Sequence, residues 1–399
     1  MSTGFDIATP ARILFGAGTV AQVPELASAL GSRPLLVTGA APARAAAVAA
    51  ALARAGLVLA GTPLAVAGEP TVALVRDAAA AARTAGCDLV IACGGGSALD
   101  AGKAIAALLG NGGDPLDYLE VVGRGRPLER PGLPFIAVPT TAGTGSEVTR
   151  NAVLASPEHQ VKASLRSPLM LARAAVVDPD LLAGLPPAVI ASSGLDALSQ
   201  LIEPFVSLRA NPFTDALARE GIRRSARSLR QAYQQAQHPP AEVGAGVAGA
   251  GLREDLALAS LFGGLCLANA GLGAVHGFAA PIGGTWPAPH GATCAALLPH
   301  AMRVNLRALE RRAPQHPARA RFAELAALLT DRPDASADQG IAWLDALAAA
   351  LQIPGLRRYG VTAADVPALV AKAKVASSMK ANPLPLTDDE LTEIAERSL

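Results

Sequence analysis

Strand and helix alternate in the first half of this chain and stop alternating in the second, and that change limits the architecture more than any single residue does. Strand-like runs at Pro34 to Thr38, Asp88 to Cys93 and Pro134 to Val138 are separated by Ala-rich helical stretches near Pro42 to Ala55, Val72 to Ala85 and Ala98 to Leu109. Strands linked through helices pair in parallel by right-handed crossovers, so this half reads as a doubly wound, Rossmann-like α/β sheet. Its ligand site belongs at the C-terminal ends of the strands. After Asp178 the chain is punctuated by Pro179, Gly184, Pro186 and Pro187, and β-branched alternation disappears. Helical stretches at Ser193 to Val206, Pro212 to Ala236, Arg253 to Ala270, Ala318 to Leu329 and Gly340 to Leu351 predict an all-α second half. The Pro, Gly and Ala-rich segments His238 to Gly251 and Thr330 to Gln339 read as exposed connections. Two domains are expected, residues 1–185 and 186–399, because a single core seldom grows past about 250 to 300 residues.

Composition excludes several partners. Apolar residues make up 51% of the chain and charged residues 17%, enough for large cores and inconsistent with disorder. The formal net charge of +1, from 34 Lys plus Arg against 33 Asp plus Glu, supplies no field for a phosphate backbone or an acidic bilayer. Nucleic acid and membrane are therefore not expected partners. Met1 to Pro10 carries Asp6 and lacks the basic then apolar pattern of a signal peptide. Cys87, Cys93, Cys266 and Cys294 fit no CxxC spacing and sit in apolar segments, as buried free thiols of a reducing compartment do. A cytoplasmic protein is expected.

Two strand ends carry ligand-binding chemistry. The strand ending at Cys93 runs into Gly94, Gly95, Gly96 and Ser97, with Asp100 in the first turn of the next helix. Missing side chains let backbone approach a diphosphate, and free first-turn NH groups favour an anion there. The spacing excludes a P-loop, since position 97 is Ser and Ala104 follows Lys103, and GxGxxG is absent. A tight turn without ligand is the bland alternative. The second strand end, after Val138, opens into Thr140, Thr141, Gly143, Thr144 and Gly145, hydroxyls and glycines suited to pyrophosphate and ribose. Lys162, a lone cation among small and apolar residues, suits the ribose or the cofactor amide, or is a plain surface lysine.

In the helical half, Asp196 and Gln200 stand four apart on one helix face. His276 and His290 lie in Gly- and Pro-rich apolar surroundings. An Asp, two His and an amide oxygen form a donor set for a divalent ion, though spacing alone equally allows structural histidines. Trp286, Phe278 and Phe262 read either as a pocket lining or as core.

Taken together, GGGSALDAGKA at Gly94 to Ala104, PTTAGTGSEVT at Pro139 to Thr149, GLDALSQLIE at Gly194 to Glu203 and VHGFAAPIGGTWPAPHG at Val275 to Gly291 resemble the iron-containing (group III) alcohol dehydrogenases, whose architecture is shared with dehydroquinate synthase. The resemblance implies a nucleotide-binding domain over 1–185 and a helical metal- and substrate-binding domain over 186–399. It also implies NAD(P) as cofactor, a divalent metal that is habitually Fe2+ although such donors also hold Zn2+, a small alcohol, aldehyde or ketone as substrate, and a homodimer. By position, Gly94, Gly95, Gly96, Ser97, Asp100, Thr140, Thr141, Thr144, Asn151 and Lys162 match the cofactor site, while Asp196, His276 and His290 match the catalytic metal ligands. The chain departs from the family pattern at three places. Gln200 stands where a fourth ligand, His, is usual; Ala280 replaces a second His four residues after His276; and Gly39 replaces the Asp that goes with NAD preference. Hydride transfer with the metal as Lewis acid is the expected reaction, and a metal-independent reductase of the maleylacetate type is the alternative.

Overall fold

A computed structural model describes residues 4–159, 161–238 and 249–399. The chain divides into two compact units: an α/β unit, residues 8–141 and 145–183, and a helical unit made of residues 142–144 and 184–399 together with the described part of 1–7. Most of the segment read as a connection from His238 lies outside the described residues. The connection after Thr330 is present and largely exposed.

The α/β unit contains β1 (Ile13–Phe15), β2 (Pro34–Thr38), β3 (Leu64–Ala65), β4 (Leu89–Gly94), β5 (Phe135–Pro139), β6 (Asn151–Ser156), β7 (Val161–Arg166) and β8 (Ala174–Val177). Its helices are α1 (Val23–Ser28), α2 (Ala46–Arg54), α3 (Val72–Thr84), α4 (Gly96–Asn111) and the short α5 (Pro115–Tyr118). Six strands form one sheet in the order β1-β8-β5-β4-β2-β3, every pair parallel. The other two, β6 and β7, form an antiparallel hairpin. Central strands that read as continuous apolar runs are buried on both faces, as a parallel sheet requires. Leu35, Val37, Val90, Ala92, Phe135 and Ala137 point into one core with α3 and α4. Leu36, Leu89, Ile91, Cys93, Ile136 and Val138 point into the other with α1 and α2. The alternation of side chains along each strand thus builds the double winding residue by residue.

The strand order reverses between β2 and β4, since β3 lies beyond β2 at the edge and the chain then crosses back to β4. A topological switch point opens a crevice at the strand C-terminal ends, and here those ends are Thr38 and Gly94.

Among the described residues the chain is strand-free after Val177. The helical unit contains α6 (Pro187–Val206), α7 (Pro212–Gln237), α8 (Ala250–Ala270), α9 (Ala274–Thr285), α10 (His290–Arg312), α11 (Ala318–Thr330), α12 (Ala337–Ala350), α13 (Val366–Val375) and α14 (Asp388–Arg397). Proline at the first position starts α6 and α7, and α7 is further fixed by a capping box between Asn211 and Thr214. α6 is the central helix: it packs on α7, α8 and α10, and every residue from Gly194 to Val206 is buried. Glycines make that approach possible. A Cβ on Gly194 would fall 2.2 Å from Leu229 Cδ1, and one on Gly221 would fall 2.5 Å from Leu201 Cδ2. No single described helix is long and apolar enough to cross a membrane.

Candidate functional site

Burial of α6 forces its polar residues to find partners, because a buried charge without one is strongly unfavourable. Asp196, Gln200 and Glu203 follow one another at i, i+4 and i+7 and therefore share a face. His276 stands in the first turn of α9, His290 is the first residue of α10, and Cys294 lies four residues further on the same face of α10. These helices bring one atom each from Asp196, His276, His290 and Cys294 within 4.8 Å of one another. The Asp196 Oδ1 oxygen is 3.4 Å from His276 Nε2 and 3.7 Å from His290 Nε2. The Cys294 sulfur is 3.7 Å from each of the same two nitrogens.

The tautomer of His276 follows from its other nitrogen. Glu203 Oε2 lies 2.6 Å from His276 Nδ1, and Glu203 Oε1 accepts the Val275 amide at 2.7 Å. An acceptor at Nδ1 keeps the proton there, so Nε2, facing Asp196 and Cys294, is the nitrogen that can bind an ion once its own proton is displaced. The start of α9 is also held by Asn382, whose Oδ1 accepts the Ala274 amide at 3.1 Å. Asp196 Oδ1 and Gln200 Oε1 are buried and have no hydrogen-bond partner among the described residues. Gln200 is among the neighbours that hold the Asp196 carboxyl below its ordinary range. A carboxylate, a cysteine sulfur and two imidazole nitrogens, with the orphaned Gln200 oxygen nearby on α6, fit a divalent cation.

The electrostatics agree. The Cys294 sulfur and then Asp196 outweigh burial at His290 and push its pKa up to about 9. Burial alone would lower His276, but Cys294, Asp196 and Glu203 raise it well above its ordinary value. Asp196 is lowered despite its burial, by His290, His276 and Gln200. The cluster favours positive charge.

In the α/β unit, Gly39, Gly94, Gly95, Thr140 and Thr141 lie together at the switch point. A Cβ on Gly94 would lie 2.6 Å from Ala98 Cβ and 2.9 Å from the Gly39 nitrogen, and one on Gly95 would lie 3.2 Å from Thr141 Oγ1. The Thr140 amide donates to Gly94 O at 2.9 Å, which ties the two loops together. The glycine turn and the hydroxyl loop form one backbone cradle that α4 opens with its N-terminal amides, the surroundings a diphosphate needs. Gly143 and Thr144 fall within the helical unit, where Gly143 leaves only 2.7 Å between a would-be Cβ and Ser193 Cβ.

One expectation changes, and the structure adds partners or burial to two others. Asp100 does not face the cradle: one oxygen accepts the Ser146 hydroxyl and the other the Val153 amide at 2.9 Å, so it anchors the loop and the hairpin to α4. Lys162 is nearly buried and pairs with Glu69 at 2.9 Å, on the hairpin strand β7 that begins one turn after Asn151's strand. Phe278 is fully buried core, while Trp286 and Phe262 are half-buried. Lys103, absent from the expected site, turns out to position it. Its buried ammonium lies 2.7 to 3.1 Å from Ser146 O, Ser146 Oγ, Thr149 Oγ1 and Asn151 O, stitching α4 to the hydroxyl loop. The arrangement of Glu203 and Cys294 was also unread, although each repeats at helical spacing from a predicted ligand.

Comparison with known proteins agrees with this geometry. Two family models match the chain: "Iron-containing alcohol dehydrogenase" over residues 10–179 and "Fe-containing alcohol dehydrogenase family, C-terminal" over residues 190–399.

The chain belongs to the iron-containing alcohol dehydrogenase family.

A 1,3-propanediol dehydrogenase of Klebsiella pneumoniae is 37% identical over 326 residues, covering 80% of this chain and 78% of that one. The crystal structure of a 1,3-propanediol oxidoreductase superposes with a TM-score of 0.88 at 33% identity, covering 99% of this chain and 100% of that chain. A sulfoacetaldehyde reductase from Bifidobacterium kashiwanohense, solved with NAD+, superposes with a TM-score of 0.82 at 26% identity, covering 100% and 99%. As an iron-containing alcohol dehydrogenase, the chain is a metal-dependent oxidoreductase of alcohols and aldehydes.

Proposed function

We propose that this chain is an NAD(P)-dependent alcohol dehydrogenase whose α/β unit binds the nicotinamide nucleotide and whose helical unit holds a divalent metal and a small alcohol, aldehyde or ketone. The observation that carries the reading is the cluster on α6, α9 and α10, with a buried Asp196 oxygen left without a hydrogen bond among the described residues. Asp196, His276 and His290 are the metal ligands, and iron is the first candidate from the family description. When bound, the ion supplies Lewis acidity toward the substrate oxygen and the nicotinamide exchanges the hydride with carbon.

The chain's own residues orient and hold. Glu203 fixes the His276 tautomer, so that Nε2 offers a lone pair. Gln200, four residues on along α6, helps hold the Asp196 carboxyl in its ionised form. Gly94, Gly95, Gly96 and Ser97 present backbone NH groups to the diphosphate, and Thr140, Thr141 and Thr144 offer hydroxyls to phosphate or ribose, with Asn151 and Lys162 as outer contacts. Lys103 and Asp100 keep those loops together. Ala280, exposed on α9 four residues after His276, has no atom to carry a proton, so the substrate hydroxyl proton leaves through water or a ribose hydroxyl.

Four free cysteines suit a reducing compartment, and we infer a cytoplasmic homodimer in keeping with family habit. The test is a nicotinamide absorbance assay over a panel of alcohols and aldehydes, run beside metal analysis of the purified protein. Turnover should track metal content and vanish in His276→Ala. Full turnover by metal-free protein would sink the reading.

A further inference from the structure

The donor set implied by family resemblance leaves Gln200 as the fourth ligand, and an amide oxygen is a weak one. The structure offers a better donor. We propose that Cys294 binds the metal as a thiolate, completing an Asp196, His276, His290, Cys294 set that selects zinc over iron. This rests on the metal site proposed above and goes beyond it in naming the fourth ligand and the ion.

Four observations converge. Neighbouring donors around a tetrahedral ion, with bonds of about 2.0 to 2.1 Å to N or O and about 2.3 Å to S, stand about 3.3 to 3.6 Å apart. The separations of 3.4 and 3.7 Å from Asp196 to the two imidazole nitrogens and of 3.7 Å from the sulfur to each are close to that spacing, and all four donor atoms lie within 4.8 Å of one another. The i, i+4 placement of His290 and Cys294 on α10 means that any ion taken by one imidazole nitrogen lies beside the sulfur. Asp196 Oδ1 is a buried acceptor aimed into the cluster with no hydrogen bond among the described residues. The Gln200 Oε1 oxygen, by contrast, lies beside α8, where a Cβ on Gly263 would stand 3.7 Å away, and Gln200 is not among the residues whose donor atoms gather within 4.8 Å.

The other buried thiols serve as a contrast. Burial pushes the thiols of Cys93 and Cys266 up, and among the described residues neither is grouped with imidazoles as Cys294 is. At Cys294 the S–H proton leaves to solvent as the metal–sulfur bond forms. Carboxylate and thiolate together then balance the charge of a divalent ion. A thiolate is a soft donor and shifts preference from Fe2+ toward Zn2+, which already stands above Fe2+ in the general order of affinities. The His290 side chain is 38% exposed, so the cluster keeps an open flank for a substrate oxygen.

Cobalt reports the bond directly. The full-length protein, stripped of metal and reloaded with Co2+, should show a thiolate-to-cobalt charge-transfer band in the near ultraviolet beside the visible d–d bands. Cys294→Ser should lose the charge-transfer band and keep d–d absorption, while Cys87→Ser should keep both. Offered equal Zn2+ and Fe2+ without oxygen, wild type should retain zinc, and Cys294→Ser should shift the retained ratio toward iron by about tenfold or more. Bound cobalt without the charge-transfer band in wild type overturns the proposal, and that reading needs no variant to fold. So does an undiminished band in Cys294→Ser. Failure to bind Co2+ at all, or binding indifferent to His276→Ala, instead overturns the metal site itself and the thiolate with it.

Discussion

Glu203 Oε2 sits 2.6 Å from His276 Nδ1, and through that contact a carboxylate seven residues beyond Asp196 on α6 decides which nitrogen of His276 is free to bind. Because its other oxygen takes the Val275 amide at 2.7 Å, the carboxylate also sets where α9 begins. Glu203→Gln keeps the shape and removes the charge. Metal affinity should fall about 10- to 100-fold, as it does when an outer partner of a ligating histidine is lost. Chelator competition on the purified variant checks this, and a wild-type affinity would mean that the contact serves folding alone.

Gly94 presents a different kind of constraint, one of space. A methyl group there would meet Ala98 Cβ at 2.6 Å and the Gly39 nitrogen at 2.9 Å, one of them backbone that cannot swing away. Gly94→Ala should force β2 and β4 apart at the switch point, destabilising the protein by about 1 to 3 kcal/mol and weakening nucleotide binding more than metal binding. Thermal melts with and without NAD(P), beside metal analysis, separate the two effects. Equal nucleotide binding by the variant would place the cofactor elsewhere.

How far the sequence alone reached depended on how local the cause was. β2, β4 and β5 were legible because their apolar runs end in turn residues, and a sheet buried on both faces follows from them. β1, β3 and β8 were not, since 3, 2 and 4 residues carry no pattern and owe their conformation to the neighbour they pair with. α9 and α10 were hidden by glycines and by Pro281 and Pro299 inside them, tolerated where tertiary packing overrides propensity. Asp196, His276 and His290, the proposed ligands, stood in recognisable motifs, and the structure brings one donor atom of each within 4.8 Å of the others. Cys294 passed as an ordinary buried thiol because a sulfur four residues from a histidine gains meaning only once α6 and α9 close around it. Asp100 was misread for a related reason: its partner Val153 is supplied by a hairpin 53 residues away.

The metal-free cluster should also show in the pH dependence of stability. Cys294 and Asp196 raise His290 to about 9 from 6.5, so its protonated form is favoured in the fold. A group raised in this way contributes stability that is fully present below pH 6.5 and lost as pH climbs through about 9. The Tm of metal-free protein should therefore decline across that window. Metal entry displaces the proton, so affinity for Zn2+ should rise with pH over the same range. Melting curves from pH 6 to 10, with and without metal, test both statements, and a flat metal-free profile would show that His290 is not charged in the fold.

Cofactor choice is expected to turn on Gly39, just past the end of β2, where a carboxylate would take the adenosine ribose hydroxyls of NAD and repel a 2'-phosphate. Without it NADP should be tolerated. Arg44, in the turn after β2, uses one guanidinium nitrogen to donate to Leu181 O at 2.5 Å and Ala183 O at 3.0 Å. Tolerance of NADP follows from missing repulsion, so discrimination between the two cofactors should be weak. The site has room for the reverse experiment. A Cβ on Gly39 would meet nothing nearer than Gly94 Cα and the Gly95 nitrogen, both at 3.9 Å, so Gly39→Asp should fold as wild type does. Steady-state kinetics with each cofactor should then show kcat/KM for NADP falling about tenfold or more while that for NAD holds or rises, a difference of about 1.4 kcal/mol in the discrimination. Wild-type protein that already uses NAD alone would mean that another residue near the end of β2 or β3 excludes the phosphate.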